Sequence, residues 1–139
     1  METTESVKID FKDSKYSTGR RKTSIAKIWL KKGSGKTLVN GKNYDVYFKR
    51  ANHRNMLLRP FETINQPTNY DVRCSVKGGG PTGQAGAMVH GISKALVLFD
   101  ENLKATLKTE KLTTRDSRAV ERKKPGRRKA RRSFQFSKR

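Results

Sequence analysis

Three groups of residues in this 139-residue chain carry side chains fit for chemistry, and all three point at phosphate rather than at bond-making. The first is Arg20-Arg21-Lys22, a run of cations that follows Gly19. In most proteins such a run is a solvated face, but in a chain this basic, contact with phosphate is the stronger reading. The second is Gly78-Gly79-Gly80-Pro81-Thr82-Gly83, with Lys77 in front of it. A glycine turn opening a helix can hold an anion on its backbone N–H groups. This turn lacks the Gly-Lys-Ser/Thr ending of a nucleotide phosphate loop, and its glycines do not make a dinucleotide fingerprint with a downstream ribose-binding acid. Two readings stay open: a tight turn whose glycines permit positive φ, and a turn whose backbone lets an RNA phosphate come close beside Lys77.

The third group is the C-terminal stretch. From Arg122 to Arg139 there are 10 cations in 18 residues and no acid: Arg122, Lys123, Lys124, Arg127, Arg128, Lys129, Arg131, Arg132, Lys138 and Arg139. From Arg115 on, arginine outnumbers lysine by eight to four, and Ser133-Phe134-Gln135-Phe136-Ser137 interleaves aromatic, amide and hydroxyl groups with the terminal charges. Arginine binds phosphate bidentately and stacks on bases, and phenylalanine stacks as well. A plain solvating or nuclear-localisation-like tract would be lysine-rich and would not need the aromatics.

Catalytic constellations are missing from the sequence. Cys74 falls on the inward alternation of a strand and reads as a small buried hydrophobe. His53 and His90 are isolated, so packing or RNA-contacting roles are expected of them, and one cysteine with two histidines cannot close a tetrahedral zinc site. No serine lies in a nucleophile elbow and no acidic pair recurs at metal-binding spacing. We therefore expect no enzyme, no cofactor, no metal and no internal disulfide, in a reducing compartment. No run approaches the roughly 18 apolar residues of a membrane span. Glu2, Glu5 and Asp10 near the start argue against a signal or transit peptide.

The elements that must position these groups follow from periodicity. Ala26, Ile28 and Leu30 alternate with Ile25, Lys27 and Trp29, which predicts a strand with the basic run at its start. Gly33-Ser34-Gly35 offers a turn, Thr37 to Val39 a short return strand, and Asn40-Gly41 a tight turn, so a hairpin is expected. Residues 44–59 read as two short helical pieces stopping at Pro60. Tyr70, Val72, Cys74 and Val76 alternate with polar residues, a second clear strand. After the glycine turn, Ala85, Met88, Val89, Ile92, Leu96 and Phe99 recur at helical spacing, and a further helix is expected over Glu101 to Leu112. This order predicts a small α+β layer, one sheet with helices on one face.

Charge divides the chain into three. The whole carries 33 Lys+Arg against 12 Asp+Glu, net +21. Residues 1–13 hold 2 basic and 4 acidic groups, 14–114 hold 19 and 6, and 115–139 hold 12 and 2. An acidic extension over 1–14, a globular body over 15–114 and a basic tail over 115–139 are thus expected. Pro125 and Gly126 break helix propensity in the tail, which buries too little apolar surface to order itself alone. Fully extended, its last 18 residues reach roughly 60 Å. Such phosphate contact is independent of sequence, so specificity must come from the shape of the partner RNA.

Three segments resemble one family: Thr18-Gly19-Arg20-Arg21-Lys22-Thr23-Ser24-Ile25-Ala26; Val76 to Ala87 with His90-Gly91-Ile92; and Asp116-Ser117-Arg118 with Glu121-Arg122-Lys123-Lys124 running on to Gln135-Phe136-Ser137-Lys138-Arg139. Together, in this order, they resemble the ninth protein of the small ribosomal subunit in its bacterial and organellar form. The resemblance implies a four-stranded sheet with helices on one face, similar to the second domain of the fifth small-subunit ribosomal protein (the S5 domain 2-like fold), with a left-handed βαβ unit and a long extended basic tail. It also implies a structural role in translation. The body would bind 16S-type rRNA in the subunit head, among neighbouring head proteins and as a single copy without self-association. The tail tip, Ser137, Lys138 and Arg139, would reach the anticodon stem-loop of the P-site tRNA. Arg20, Arg21, Lys22, Lys77, Arg122, Lys123, Lys124, Arg127, Arg128, Lys129, Arg131 and Arg132 are then the rRNA-contact candidates. Ser117 and Pro125 depart from the family's usual pattern, and residues 1–14 have no counterpart in it. The motifs suit a bacterial cytoplasm and an organelle matrix equally. Two other classes are an RNA-processing enzyme, which needs an acid cluster or a complete phosphate loop, and a free cationic compactor of DNA and RNA.

Overall fold

A computed structural model describes residues 12–65 and 69–137. Strand β1 (Lys15–Arg21) turns through Lys22 and Thr23 into β2 (Ser24–Lys32). Strands β3 (Thr37–Val39) and β4 (Lys42–Asn43) follow, then helices α1 (Tyr44–Tyr47) and α2 (Ala51–Thr63), strand β5 (Tyr70–Lys77), and helices α3 (Pro81–Phe99) and α4 (Leu103–Thr109). The five strands form one sheet in the order β1-β2-β5-β3-β4, antiparallel except for the β3–β5 pair. The mixed α+β architecture with helices on one face is as the periodicity predicts, but the sheet has five strands rather than four. Four is the count that the resemblance implies; beyond the three strands that periodicity locates, the structure adds β1, in which Gly19 and the polar residues around it hide the alternation, and the two-residue β4.

The predicted hairpin is split. Strand β5 lies between β2 and β3, pairing antiparallel with the first and parallel with the second. The crossing loop is held by Asp71, whose Oδ1 accepts the backbone N–H groups of Ser34, Gly35 and Lys36 at 3.0, 3.0 and 2.9 Å. Nothing local in residues 33–36 announces that a carboxylate some 35 positions later will organise them. Asn40 and Gly41 do form the expected tight turn, with φ of +51° and +81°, both positive as a two-residue hairpin turn requires. The Asn40 side chain then continues the β3–β5 ladder, accepting from Val76 N–H at 2.9 Å and donating to Val76 C=O at 3.0 Å.

Helix α2 also runs past the predicted stop, with Pro60 inside it. Pro60 costs the helix one backbone hydrogen bond, but it is fully buried beside Leu57 and Phe61, and core packing outweighs local propensity. Ala26, Ile28, Leu30, Val72, Cys74 and Val76 form the sheet's inner face, and Ala85, Met88, Ile92 and Leu96 of α3 lie on it as their periodicity predicts. The contact between β1 and α3 is backbone to backbone. A Cβ on Gly19 would lie 1.8 Å from Ala87 O and 2.4 Å from Gly91 N. Across the same contact, Lys94 Nζ donates to Thr18 O at 2.9 Å and Arg20 N–H donates to His90 Nδ1 at 3.3 Å, so α3 side chains satisfy the free edge of the sheet.

Helix α4, shorter than predicted, ends with Lys111 at φ +59°, Lys111 N–H on Lys108 O at 3.0 Å and Leu112 N–H on Leu107 O at 3.0 Å. This pair of bonds closes a helix and turns the chain away from its axis. The tail leaves from there, and from residue 117 to 137 every residue except Ala130 is exposed.

Candidate nucleic-acid interface

The hairpin turn between β1 and β2 carries the first basic group. Lys22 has φ +53°, a left-handed conformation that costs a side-chain-bearing residue about 1 kcal/mol, and its ammonium is held out in solvent. Arg20 is exposed on the sheet face away from the helices. Arg21 behaves differently: it lies across α3 at Gly86, where a Cβ would stand 2.2 Å from its Cδ and 2.7 Å from its Nη1. Its Nε faces Asp116 Oδ2 at 4.0 Å. Arg21 is therefore engaged within the chain, between α3 and the start of the tail, whereas Arg20 and Lys22 face outward.

The glycine turn packs against its own chain. Gly78 and Gly79 have φ of +78° and +61°, and Cβ atoms there would come within 2.6 Å of Thr23 O and 2.2 Å of Ser24 Oγ. Ser24 Oγ donates to Gly78 O at 2.9 Å, and Gln84 Nε2 donates to the same oxygen at 3.1 Å. What the glycines admit is the β1–β2 turn. That closeness assembles one basic end: Lys22 Cδ would be 3.8 Å from a Cβ on Gly83 in the first turn of α3. Gly80 precedes the helix without a side-chain cap, at the positive end of the helix dipole. Lys77 is exposed at the end of β5 and pairs across the sheet with Ile25, which pairs on its other side with Arg20. Arg20, Lys22 and Lys77 thus share one end of the body.

The histidines and the cysteine take internal roles. His53 Nε2 is 3.0 Å from Thr82 Oγ1 and its ring meets Phe48 edge-on. Burial and then the nearby Lys94 lower the His90 pKa, so the imidazole is neutral, as Nδ1 must be to accept the Arg20 N–H. Burial pushes the Cys74 thiol far up, leaving it protonated and inert.

In the tail, both acids are occupied by tail arginines and lysines. Asp116 accepts from Arg118 N–H at 3.0 Å and from its Nη2 at 2.7 Å, and these bonds hold its carboxyl well below the usual carboxylate range. Glu121 accepts from Lys124 Nζ and from Arg131 Nε at 2.9 Å, which lowers its pKa in turn. Pro125 and Gly126 make a turn in which Gly126 has φ +74° and Arg127 N–H donates to Lys124 O at 3.2 Å. The chain then doubles back, with a bridge between Arg127 and Ser133, Arg127 Nη1 on Ser133 Oγ at 3.1 Å, and Arg128 lying 5.6 Å from the Phe134 ring centre. Arg122 donates to Lys123 O at 3.2 Å, while the side chains of Lys123, Lys129 and Arg132 point to solvent. Ser137 is exposed, and Lys138 and Arg139 lie outside the described residues.

Sequence reasoning missed the parts that hold these cations in place. Asp116 and Glu121 stand in the matched motifs, but their duty as internal counter-charges shows only in space. The glycines inside α3 carried a signal, since each costs a helix about 1 kcal/mol against alanine and so marks a close approach. No helix among the described residues is long and apolar enough to cross a membrane. A family model described as ribosomal protein S9/S16 matches residues 19–139. The chain therefore belongs to the ribosomal protein S9/S16 family, a structural, non-enzymatic and rRNA-binding component of the small ribosomal subunit that works among ribosomal RNA and other ribosomal proteins.

Proposed function

We propose that this chain is the ninth small-subunit protein, seated in the subunit head with its body on 16S-type rRNA and its tail tip on the anticodon stem-loop of P-site tRNA. The observation that supports this most is the asymmetry of the tail. Its two acids are both neutralised within the chain, Glu121 by Lys124 and Arg131, so the other cations from Arg122 onward have no acid in the tail to oppose them, and the Asp116–Arg21 contact sets the start of that cationic segment against the body. Arg20, Lys22 and Lys77 supply the body's phosphate contacts. Arg122, Lys123, Lys124, Arg127, Arg128, Lys129, Arg131 and Arg132 supply the tail's, and Arg21 acts by holding the two together. Ser137, Lys138 and Arg139 are the residues assigned to tRNA.

The experiment is removal of Lys138 and Arg139. Subunits carrying the shortened chain are expected to assemble normally but to bind P-site tRNA more weakly or to select start sites with lower fidelity. Unchanged tRNA binding in purified subunits sinks the tRNA assignment. A protein that spreads through RNA- and DNA-containing fractions and washes off with salt, instead of comigrating with small subunits, sinks the whole placement.

A further inference from the structure

The open face of the sheet runs from the basic end along the strands, away from the helices. On β2, Ile25, Lys27 and Trp29 point away from the helices, opposite the buried Ala26, Ile28 and Leu30. The strand register carries this face across three neighbouring strands. Tyr16 of β1 is opposite Trp29, and Trp29 is opposite Arg73 of β5. The Tyr16 and Trp29 rings are 5.2 Å apart, and the Arg73 guanidinium lies 5.5 Å from the Trp29 ring centre. Tyr16, near the start of the edge strand β1, is 47% exposed, so its ring is open to a partner. Thr18 Oγ1 stands 3.4 Å from the Tyr16 hydroxyl, which lays the ring along the strand.

Cations flank this row. Two residues along each strand, about 7 Å away, is Lys27, and about 14 Å away are Arg20 and Lys77 on either side of Ile25. The one acid in β1, β2 and β5 is Asp71, and its carboxylate is taken by the N–H groups of the loop at 34–36. Within these three strands, then, no other acid offsets the cations, and the face is an aromatic and guanidinium platform beside positive charge. A duplex offers phosphates but hides its bases. A single strand offers both, and exposed bases stack on aromatic rings and on arginine planes.

We propose that the open sheet face is a binding surface for single-stranded RNA, with an unpaired base stacked on Tyr16 beside the Arg73–Trp29 pair and the flanking phosphates on Lys27, Arg20 and Lys77. This rests on the chain's being an rRNA-binding protein and names the element of RNA it takes there. The tail holds RNA by charge; this face holds it by stacking.

Trp29 is the single tryptophan of the chain and reports directly on the platform. Fluorescence of the full-length protein is titrated with a short oligo(A) strand and with a duplex RNA of equal length, at a salt concentration high enough to weaken the tail's contacts. The single strand is expected to quench Trp29 and the duplex to leave it unchanged. Tyr16→Ala should cut single-strand affinity about tenfold while duplex binding stays as it was, and Tyr16→Phe should restore it. Circular dichroism of each variant confirms that the sheet is intact, and Arg73→Ala gives a second reading at a residue exposed in the fold. Equal quenching by duplex and single strand overturns the proposal, as does equal loss of both on Tyr16→Ala. If RNA binds without moving Trp29, the face is not the site and the rRNA-binding role stands. If the full chain binds no RNA at all, both readings fall together. A photocrosslinker at position 16 that captures a protein rather than RNA in purified small subunits also overturns it.

Discussion

The body and the tail carry comparable excess charge but are held together by different physics. In the body, 19 basic residues ride on a core of buried strands and α3, and the decisive contacts are close approaches: Gly19 on α3, Gly78 and Gly79 on the β1–β2 turn, Asp71 under its loop. In the tail, no helix or strand is formed among the described residues, and what shape it has comes from exposed ion pairs, one turn and one bridge. Exposed pairs contribute little each and weaken with salt. The body's geometry is thus set before RNA arrives, whereas the tail's contacts are of a kind that phosphates replace. The join between the two regimes is Arg21, which belongs to the body by packing and to the tail by charge.

The sharpest way to break this contrast is to cut it. A chain ending at Glu121 loses 10 cations. If six of them meet phosphates, the full-length protein loses about 10³-fold in duplex-RNA affinity between roughly 50 and 200 mM salt, and truncation lowers the log–log slope by about 5. The same truncation should leave the body's melting temperature within about 2 °C, because residues 117–137 bury almost nothing. A melting point that drops with the tail would mean that the two regions fold as one.

Next in size is Gly19→Ala, which acts on the body alone. The added methyl has no room against Ala87 O and Gly91, so either α3 lifts or β1 shifts. Overpacking of this kind costs about 3 kcal/mol, readable in urea denaturation, with the salt slope of whatever protein stays folded unchanged. A cost below about 1 kcal/mol would show that the β1–α3 contact yields, and that the body is less rigid than the comparison requires.

The smallest effect lies at the join. The hydrogen bonds from Arg118 first, and then the nearby Arg21, hold the Asp116 carboxyl below its unfolded value. A depressed folded pKa contributes stability that is full above about pH 4 and is lost only as acid carries the pH down through the folded value. The clamp is therefore intact at neutral pH. A carboxyl titration by NMR should place Asp116 below the other aspartates, and Asp116→Asn should loosen residues 118–120 in relaxation measurements without moving the melting temperature. An Asp116 that titrates with the ordinary aspartates would mean that the Asp116–Arg118 pairing does not persist in solution.

Much of this was readable from residue order. Periodicity located β2, β5 and α3 and set Val72, Cys74 and Val76 opposite the polar face of their strand, because burial on one face of a strand or helix imposes a repeat of 2 or 3.6 that short-range sequence records; which face of β2 is buried only the structure shows. The cationic runs were plain for the same reason: charge density is a property of neighbours in the chain. Strand β1 and the continuation of α2 through Pro60 were not readable. In both, tertiary contact overrides a local signal, a glycine pressed against α3 in one and a buried proline ring in the other.

By itself, then, the sequence determined the α+β class, the three-way division of charge and the family, since these depend on composition, period and motif order. Only the tertiary structure decided that β5 splits the hairpin, that the glycine turn grips the β1–β2 turn, that Arg21 points inward while Arg20 and Lys22 point outward, and that Tyr16, Trp29 and Arg73 meet on one face. Each of these joins residues far apart in the chain. Such pairings are chosen by packing and by the satisfaction of backbone hydrogen bonds across the whole domain, and no local pattern encodes them.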